Sequence, residues 1–433
     1  MIELNEQQKE AVELIKNWFE SSEELIFTLS GSAGTGKTFL INYIIKNVIS
    51  LRDDQVAFIA YTGKAASVIA QRTGKETSTI HRLIYNPVEV MKKVNVGGVE
   101  KEVKKIQFMR KPTIGPYKLI VLDEISMVDE TILEDLKSYK IKILCCGDIA
   151  QLPAIMKSNT LLDSPDYSLT KIMRQKGDSI ILKLAQMAKD GVEIPYGNYG
   201  DAIVLRDGSI PEEELKNILL SADQIICGTN KTRNALNSYI RSLKGIDTAR
   251  YRFPLSGEKI ICTMNNYEIF LDAEKKYNLV NGTIGTCIGD MKTQEDELGI
   301  ISFEPDFLNE ITDDILVDTG IFSEGEFKHE PGERAWEFYN GTYGIRNINL
   351  GKNISDDERR EKVSQLIHDK MDAIDDVAIN HFEFAYAISC HKSQGSEWDN
   401  IVIFDESKIF RNNSKKWLYT AITRARKKII LIR

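Results

Sequence analysis

Residues Gly31 to Thr38 read GSAGTGKT and fit the spacing G-x-x-x-x-G-K-[ST], between the strand-like run LIFTLS and the helix-like run FLINYIIKNVI. That pattern suits one task, holding a polyphosphate. Gly31, Gly34 and Gly36, with the small Ser32, Ala33 and Thr35 between them, let backbone N–H groups curl around phosphate oxygens. Lys37 reaches the β- and γ-phosphates, and Thr38 offers a hydroxyl to Mg2+ at a helix N-terminus whose dipole favours anions. The expected ligand is ATP with Mg2+. KLIVLDEIS places Asp123 and Glu124 at the end of an apolar strand, where one carboxylate can hold the Mg2+ shell and the next can polarise an attacking water. Gln151, in CCGDIAQLP at the following strand end, carries an amide that can donate to a γ-phosphate and accept from water. Charge that spreads over the γ-phosphate also calls for an arginine, often from a facing domain. Arg174 in LTKIMRQ and Arg424 in LYTAITRARKK are the two candidates.

The elements that would position these groups follow from the rhythm of the chain. From Glu24 to Asp148, short apolar runs (LIFTLS, VAFIAYT, KLIVLDE, IKILCCGD) alternate with helical stretches, which argues an α/β domain with a parallel sheet. The rhythm returns in QIICGTN, KTRNALNSYIRSL, FAYAISCH, NIVIFDES and KKIILI, so a second, interrupted α/β domain is expected. The expected organisation is a first motor domain over 1–83 and 118–165, with a small insert at 84–117 whose Gly97-Gly98 reads as a hairpin turn. A second motor domain covers 166–275 and 379–433. A β-rich insert with a helical appendage, near SDDERREKVSQLIHDKMDAI, covers 276–378.

Composition bounds the rest. A chain of 433 residues with 42% apolar residues is long enough for several cores. It contains no run of about 18 apolar residues, and its N-terminus is charged throughout, so a soluble cytoplasmic protein of a bacterium or a phage-infected host is expected. Six scattered cysteines without a CxxC pair read as reduced core thiols, and the five histidines have no metal-ligand spacing. The net charge of −8 is unevenly spread. Residues 295 to 330 hold twelve acids against one lysine, which leaves +3 for all other residues. Residues 92 to 111 carry seven basic residues against two acids, and nine basic residues follow Glu406 with no acid. Segregation of this kind fits a polyanion groove beside a repelling outer lobe.

In order, NEQQ, GSAGTGKT, YTGKAA, STIH, LDEIS, GDIAQLP, LTKIMRQ, GTNK, CHKSQGSEW and YTAITRAR resemble the motif ladder of the superfamily 1 helicases, in the RecD branch and its short Dda-like form. The resemblance covers nearly the whole chain except about 276 to 378. It implies two RecA-like domains clamping ATP, a hairpin pin inserted in the first, an SH3-like barrel inserted in the second, and ATP-driven 5′ to 3′ movement on single-stranded DNA. By the same resemblance Gln8 reads adenine, Thr38 and Asp123 hold Mg2+, Glu124 is the catalytic base, Gln151 senses the γ-phosphate, and Arg174 and Arg424 are fingers. Gly395 and Glu397 border the nucleotide. Many members have an aromatic before the motif arginine, where this chain has Met173, a thioether that packs on a purine less selectively.

The resemblance also gives the polar segment HKSQG a role. His391, Lys392, Ser393 and Gln394 sit at the tip of a strand-like run, where small or donor-bearing residues can meet phosphates, and Gly395 permits the turn. In the family this segment touches DNA and couples it to the nucleotide cleft. Thr62, Lys64, Thr79 and His81 would make matching contacts on the first domain, and Asn230 and Lys231 on the second. Phe108 resembles the pin aromatic and Pro87 the proline that props the first base; the alternative for each is a local packing residue. Trp398 and Trp417 read as core. Partners expected are single-stranded DNA and its junctions with duplex, and a replication or single-strand-binding protein at the acidic insert, with the chain a monomer. Three functional readings stay open: a free-standing DNA helicase, which a motif ladder beginning at residue 5 favours; a motor acting only as a subunit of a recombination complex; and an RNA helicase.

Overall fold

The computed structural model describes all residues except 1–3, 33, 97–98, 154–160, 172–178, 276, 294–297, 324, 326 and 329–377. The helical appendage expected near 355–374, the turn at Gly97-Gly98 and Arg174 with Met173 lie outside the described residues. The chain divides into two compact units: residues 1–85, 110–248 and 385–433 form one, and residues 86–109 and 249–384 the other.

The first unit holds two six-stranded sheets. In one, Thr77–Thr79, Val56–Ala60, Leu119–Leu122, Lys142–Gly147, Ile26–Gly31 and Tyr167–Leu169 lie side by side in that order, all parallel. A parallel sheet is covered on both faces, so its strands need apolar residues at every position rather than at alternate ones. VAFIA and LIVL meet that need: all nine residues are buried. Ile59, Ile120, Leu122 and Ile143 pack beneath the helix Glu130–Lys137 with Ile125, Leu133 and Leu136. The helix Glu6–Ser21 covers an edge of this lobe; Asn5 and Gln8 close a reciprocal cap at its start, and Ala11, Val12, Ile15 and Trp18 form its buried stripe.

The other sheet runs Ala387–Ser389, Gln224–Cys227, Trp398–Phe404, Ala425–Ile432, Ala202–Leu205 and Gly197–Asn198, parallel except for its last edge strand. Its strands come from both sides of the intervening segment, which accounts for the interrupted rhythm of the sequence. Trp417 is fully buried and Trp398 nearly so.

The second unit is antiparallel. Thr312–Asp318, Leu298–Pro305, Ile284–Thr293, Lys259–Cys262 and Phe382–Phe384 form one five-stranded sheet around Ile260, Cys287, Ile301, Phe303 and Phe382. The strand Lys259–Cys262 thus joins this sheet, although its position falls inside 166–275. Tyr85–Val96 and Val99–Arg110 pair as a two-stranded ribbon.

Candidate functional site

The strand Ile26–Gly31 ends between two neighbours, and the chain turns there into the helix Lys37–Asn47. The turn is possible because Gly34 and Gly36 take φ of +81° and +85°, the left-handed region that favours glycine. At Gly31 the demand is close approach instead: a Cβ there would stand 2.7 Å from Thr35 Oγ1 and 3.2 Å from Leu169 Cβ. Lys37 folds its ammonium back onto the loop, donating to Gly31 O at 2.5 Å and to Ser32 O at 3.5 Å.

Asp123 and Glu124 follow the buried strand Leu119–Leu122, and the Glu124 backbone N–H donates to Asp123 Oδ1 at 3.0 Å. Glu124 itself takes φ +55°, ψ +45°, a conformation that costs a non-glycine residue on the order of 1–3 kcal/mol and is tolerated mostly where function demands it. Burial, helped by the adjacent Asp123, pushes its carboxyl up to about 7 against the opposing pull of Arg424 and Lys37. A carboxyl poised there can exchange a proton near neutral pH. Gln151 is buried, and among the described residues its Oε1 finds no hydrogen-bond partner. An orphaned buried acceptor is costly, which marks this amide as held for something else.

A cavity of about 840 Å³ joins these groups. Gln8, Ser32, Gly34, Thr35, Gly36, Lys37, Thr38, Asp123, Glu124 and Gln151 line it from the first lobe, and Gly395, Glu397 and Arg424 from the second. Gly31 is not among the lining residues, while Ala33 and Arg174 are outside the described residues. Arg424 is buried and fixed by three bonds, donating through Nε to Thr420 O at 3.0 Å, and through its terminal nitrogens to Ser396 O at 3.3 Å and Thr423 Oγ1 at 3.0 Å. Gln8 Oε1 accepts from the Asn5 backbone N–H at 3.2 Å. Its neighbour Gln7 binds the first lobe's edge, accepting from Thr170 and Lys171 N–H at 3.2 and 2.9 Å.

Sequence reasoning missed how tightly the Gln151 loop is clasped. Tyr419 donates its hydroxyl to Asp148 Oδ2 at 2.6 Å, Leu152 N–H donates to Thr420 Oγ1 at 2.8 Å, and Gln394 Nε2 donates to Leu152 O at 2.6 Å. Asp148 in turn accepts from Ala150 N–H at 3.0 Å through its other oxygen. Missed too were Ile181, Leu182 and Ala185, which line the cavity from the helix Ile180–Asp190, and Lys189 on the same helix. Only the amphipathic spacing of that helix hints at them.

The residues expected at nucleic acid fall into groups. Thr62 caps the helix Gly63–Thr73, accepting from Ala65 N–H at 3.1 Å. Gly395, at φ +71°, comes so near this helix that a Cβ would lie 3.3 Å from Ala65 Cβ. Lys64 Nζ lies 4.9 Å from the Trp398 ring centre. Thr62, Lys64 and the HKSQG turn are therefore neighbours. Thr79 caps the helix Ile80–Ile84, and His81 packs near Tyr61 and Tyr85, with burial holding its imidazole below the usual range. Within HKSQG, His391 stands 5.9 Å from Phe410, Ser393 is fully buried and donates to Cys390 O, and Gln394 is turned toward the Gln151 loop. Asn230 and Lys231 are exposed at the start of the helix Asn230–Leu243. The Glu406 carboxylate secures that start by accepting from Gly228 and Thr229 N–H at 2.6 and 2.9 Å. In the second unit Phe108 is half-buried and meets Tyr267 edge to face at 4.6 Å. Pro87 lies in the ribbon strand Tyr85–Val96.

Among the described residues no cluster of His, Cys, Asp and Glu suits a metal, all six cysteines are buried and free, and no helix is long and apolar enough to cross a membrane. Two family models match: an AAA domain over residues 3–203 and a UvrD-like helicase C-terminal domain over 384–432. The chain is 27% identical to an uncharacterized protein of Methanocaldococcus jannaschii, over 99% of this chain and 38% of that one. It is 28% identical to the ATP-dependent DNA helicase dda of Enterobacteria phage T4, over 55% and 57% of the two chains. Against the RecBCD enzyme subunit RecD of Buchnera aphidicola subsp. Schizaphis graminum identity is 24%, over 93% and 69%. The chain thus spans less than two thirds of the length of the first two relatives.

Proposed function

We propose, for a chain that belongs to the superfamily 1 helicases of the RecD and Dda branch, that it hydrolyses ATP to move 5′ to 3′ along single-stranded DNA and to part duplex ahead of it. One observation carries the reading: Lys37 and Glu124 from one sheet and Arg424 from the other line a single cavity. A triphosphate bound there would be gripped from both sides, so that its cleavage changes how one lobe holds the other.

The residues fit that substrate. Glycines at positive φ give the loop the shape a phosphate chain needs, and Gln151 offers a buried amide oxygen without a partner among the described residues. Thr38 and Asp123 would hold Mg2+, which would neutralise phosphate charge. Glu124 takes the proton of the attacking water, and its carboxyl near 7 suits that step at neutral pH. Gln151 orients the water, while Lys37 and Arg424 face the charge that develops on the γ-phosphate. Arg424 is preorganised for this by its three bonds. Single-stranded DNA would run past Thr62, Lys64, His391 and Lys392, next to the clasped Gln151 loop, which gives a short route from strand to nucleotide. Residues 295 to 330, with their surplus of acid, would repel DNA or dock a basic replication or single-strand-binding protein.

The test is ATP hydrolysis with and without single-stranded DNA and RNA, followed by unwinding of duplexes with a 5′ or a 3′ overhang. Stimulation by DNA and unwinding from the 5′ overhang are expected. Unwinding from the 3′ overhang alone would reverse the polarity, and hydrolysis indifferent to any polynucleotide would remove the motor.

A further inference from the structure

Ser32, the second residue of the phosphate loop, accepts from two ammonium groups. Lys37 donates to its carbonyl at 3.5 Å, and Lys189 donates to its hydroxyl at 2.8 Å. Lys37 belongs to the first lobe. Lys189 lies 157 residues beyond Ser32, in the last turn of the helix Ile180–Asp190, which packs on the second lobe against the helix Ser414–Ile422 and the strand Ala425–Ile432. Two ammonium groups that converge on one residue of a phosphate loop make a place that favours an anion beside them. The helix points the same way: Ile181, Ala185 and Lys189 are four residues apart and share a face, and Ile181 and Ala185 line the nucleotide cavity. Lys189 therefore continues a stripe that already faces the site. Its backbone is anchored, because the helix closes at Gly191 with φ +76° and Lys415 Nζ donates to Asp190 O at 3.1 Å.

We propose that Lys189 is a nucleotide-binding residue supplied by the second lobe, one that exchanges the Ser32 hydroxyl for a terminal phosphate oxygen when a triphosphate binds. A hydroxyl is a weak partner for an ammonium and a phosphate oxygen a strong one, so the exchange is favoured only when the third phosphate is present. Lys189 thereby distinguishes ATP from ADP, and it does so from the lobe opposite the phosphate loop. The inference rests on ATP being the substrate of this cavity.

The experiment is calorimetric titration of the full chain, in Mg2+, with ADP and with the non-hydrolysable imidodiphosphate analogue of ATP. Lys189→Ala is expected to weaken the triphosphate analogue about tenfold and ADP less than twofold. Lys189→Arg, which keeps the charge, is expected to stay within about threefold of wild type for both. ADP binding reports that the variant is folded. Equal loss for both nucleotides, or loss for neither, overturns the role of Lys189 while leaving the ATP reading intact. A wild-type chain that binds neither nucleotide overturns both.

Discussion

Glu124 carries the sharpest chemical expectation. Its strained backbone and buried carboxyl, pushed up to about 7, are what a general base acting at neutral pH requires. Glu124→Gln keeps the shape and removes the proton acceptor, so it should still bind ATP and single-stranded DNA while hydrolysis falls at least about 10²-fold, the usual contribution of a positioned base. Phosphate release under single-turnover conditions measures this, and near-normal release would remove the assignment. The sign of the pH dependence follows. A base works deprotonated, so kcat/KM for ATP should rise with pH, about tenfold per unit on the acid side, and level off above about 7. A flat profile between pH 5.5 and 8 would mean that another group takes the proton. Lys37→Ala acts on a different step. Without its ammonium the phosphate loop loses its charge-assisted contact, and nucleotide turnover should be lost along with tight nucleotide binding, as titration with ADP would read.

The elements show what a sequence reveals of such a site. VAFIA and LIVL announce buried parallel strands because burial on both faces leaves no room for a polar residue, and the glycine spacing of the phosphate loop announces its own backbone. Lys37, Asp123, Glu124, Gln151 and Arg424 are legible because each stands at the end of such a strand or beside one. The contacts between lobes are not legible. Tyr419 and Asp148 are 271 residues apart, and Gln394 and Leu152 are 242 apart, so no local pattern couples them. Ser393 and Gln394 show the same limit from the other side: their types suit a phosphate contact, yet the fold buries both. The clasp around the Gln151 loop can be tested as an element. Tyr419→Phe leaves the Asp148 carboxylate without the phenol that now donates to it, inside a buried pocket, and should cost about 1–3 kcal/mol of stability. By loosening the loop it should also lower DNA-stimulated kcat more than it raises KM for ATP. Urea denaturation together with steady-state kinetics would check both, and a variant unchanged in both would reduce the clasp to packing.

At the scale of the molecule, every residue that lines the nucleotide cavity belongs to the first compact unit, whereas Phe108 and the basic ribbon around it belong to the second. On the proposed function, hydrolysis and strand separation would fall to different parts of the chain, and a substitution in the ribbon should divide them. Phe108 is half-buried and stands in a T-shaped contact with Tyr267, and a ring left partly exposed in this way can still offer surface to a base. Stacking of a base on an aromatic is worth about 1–3 kcal/mol, enough to matter at a junction where each base pair must be opened. Phe108→Ala should slow unwinding of a 5′-tailed duplex by about tenfold while DNA-stimulated hydrolysis stays within about twofold. Phe108→Trp, which keeps the stacking surface, should unwind at close to the normal rate. Parallel stopped-flow unwinding and phosphate-release assays on one preparation separate the two activities. If unwinding by Phe108→Ala is unimpaired, the ring serves only to pack against Tyr267; if both activities fall together, the ribbon is part of the motor itself.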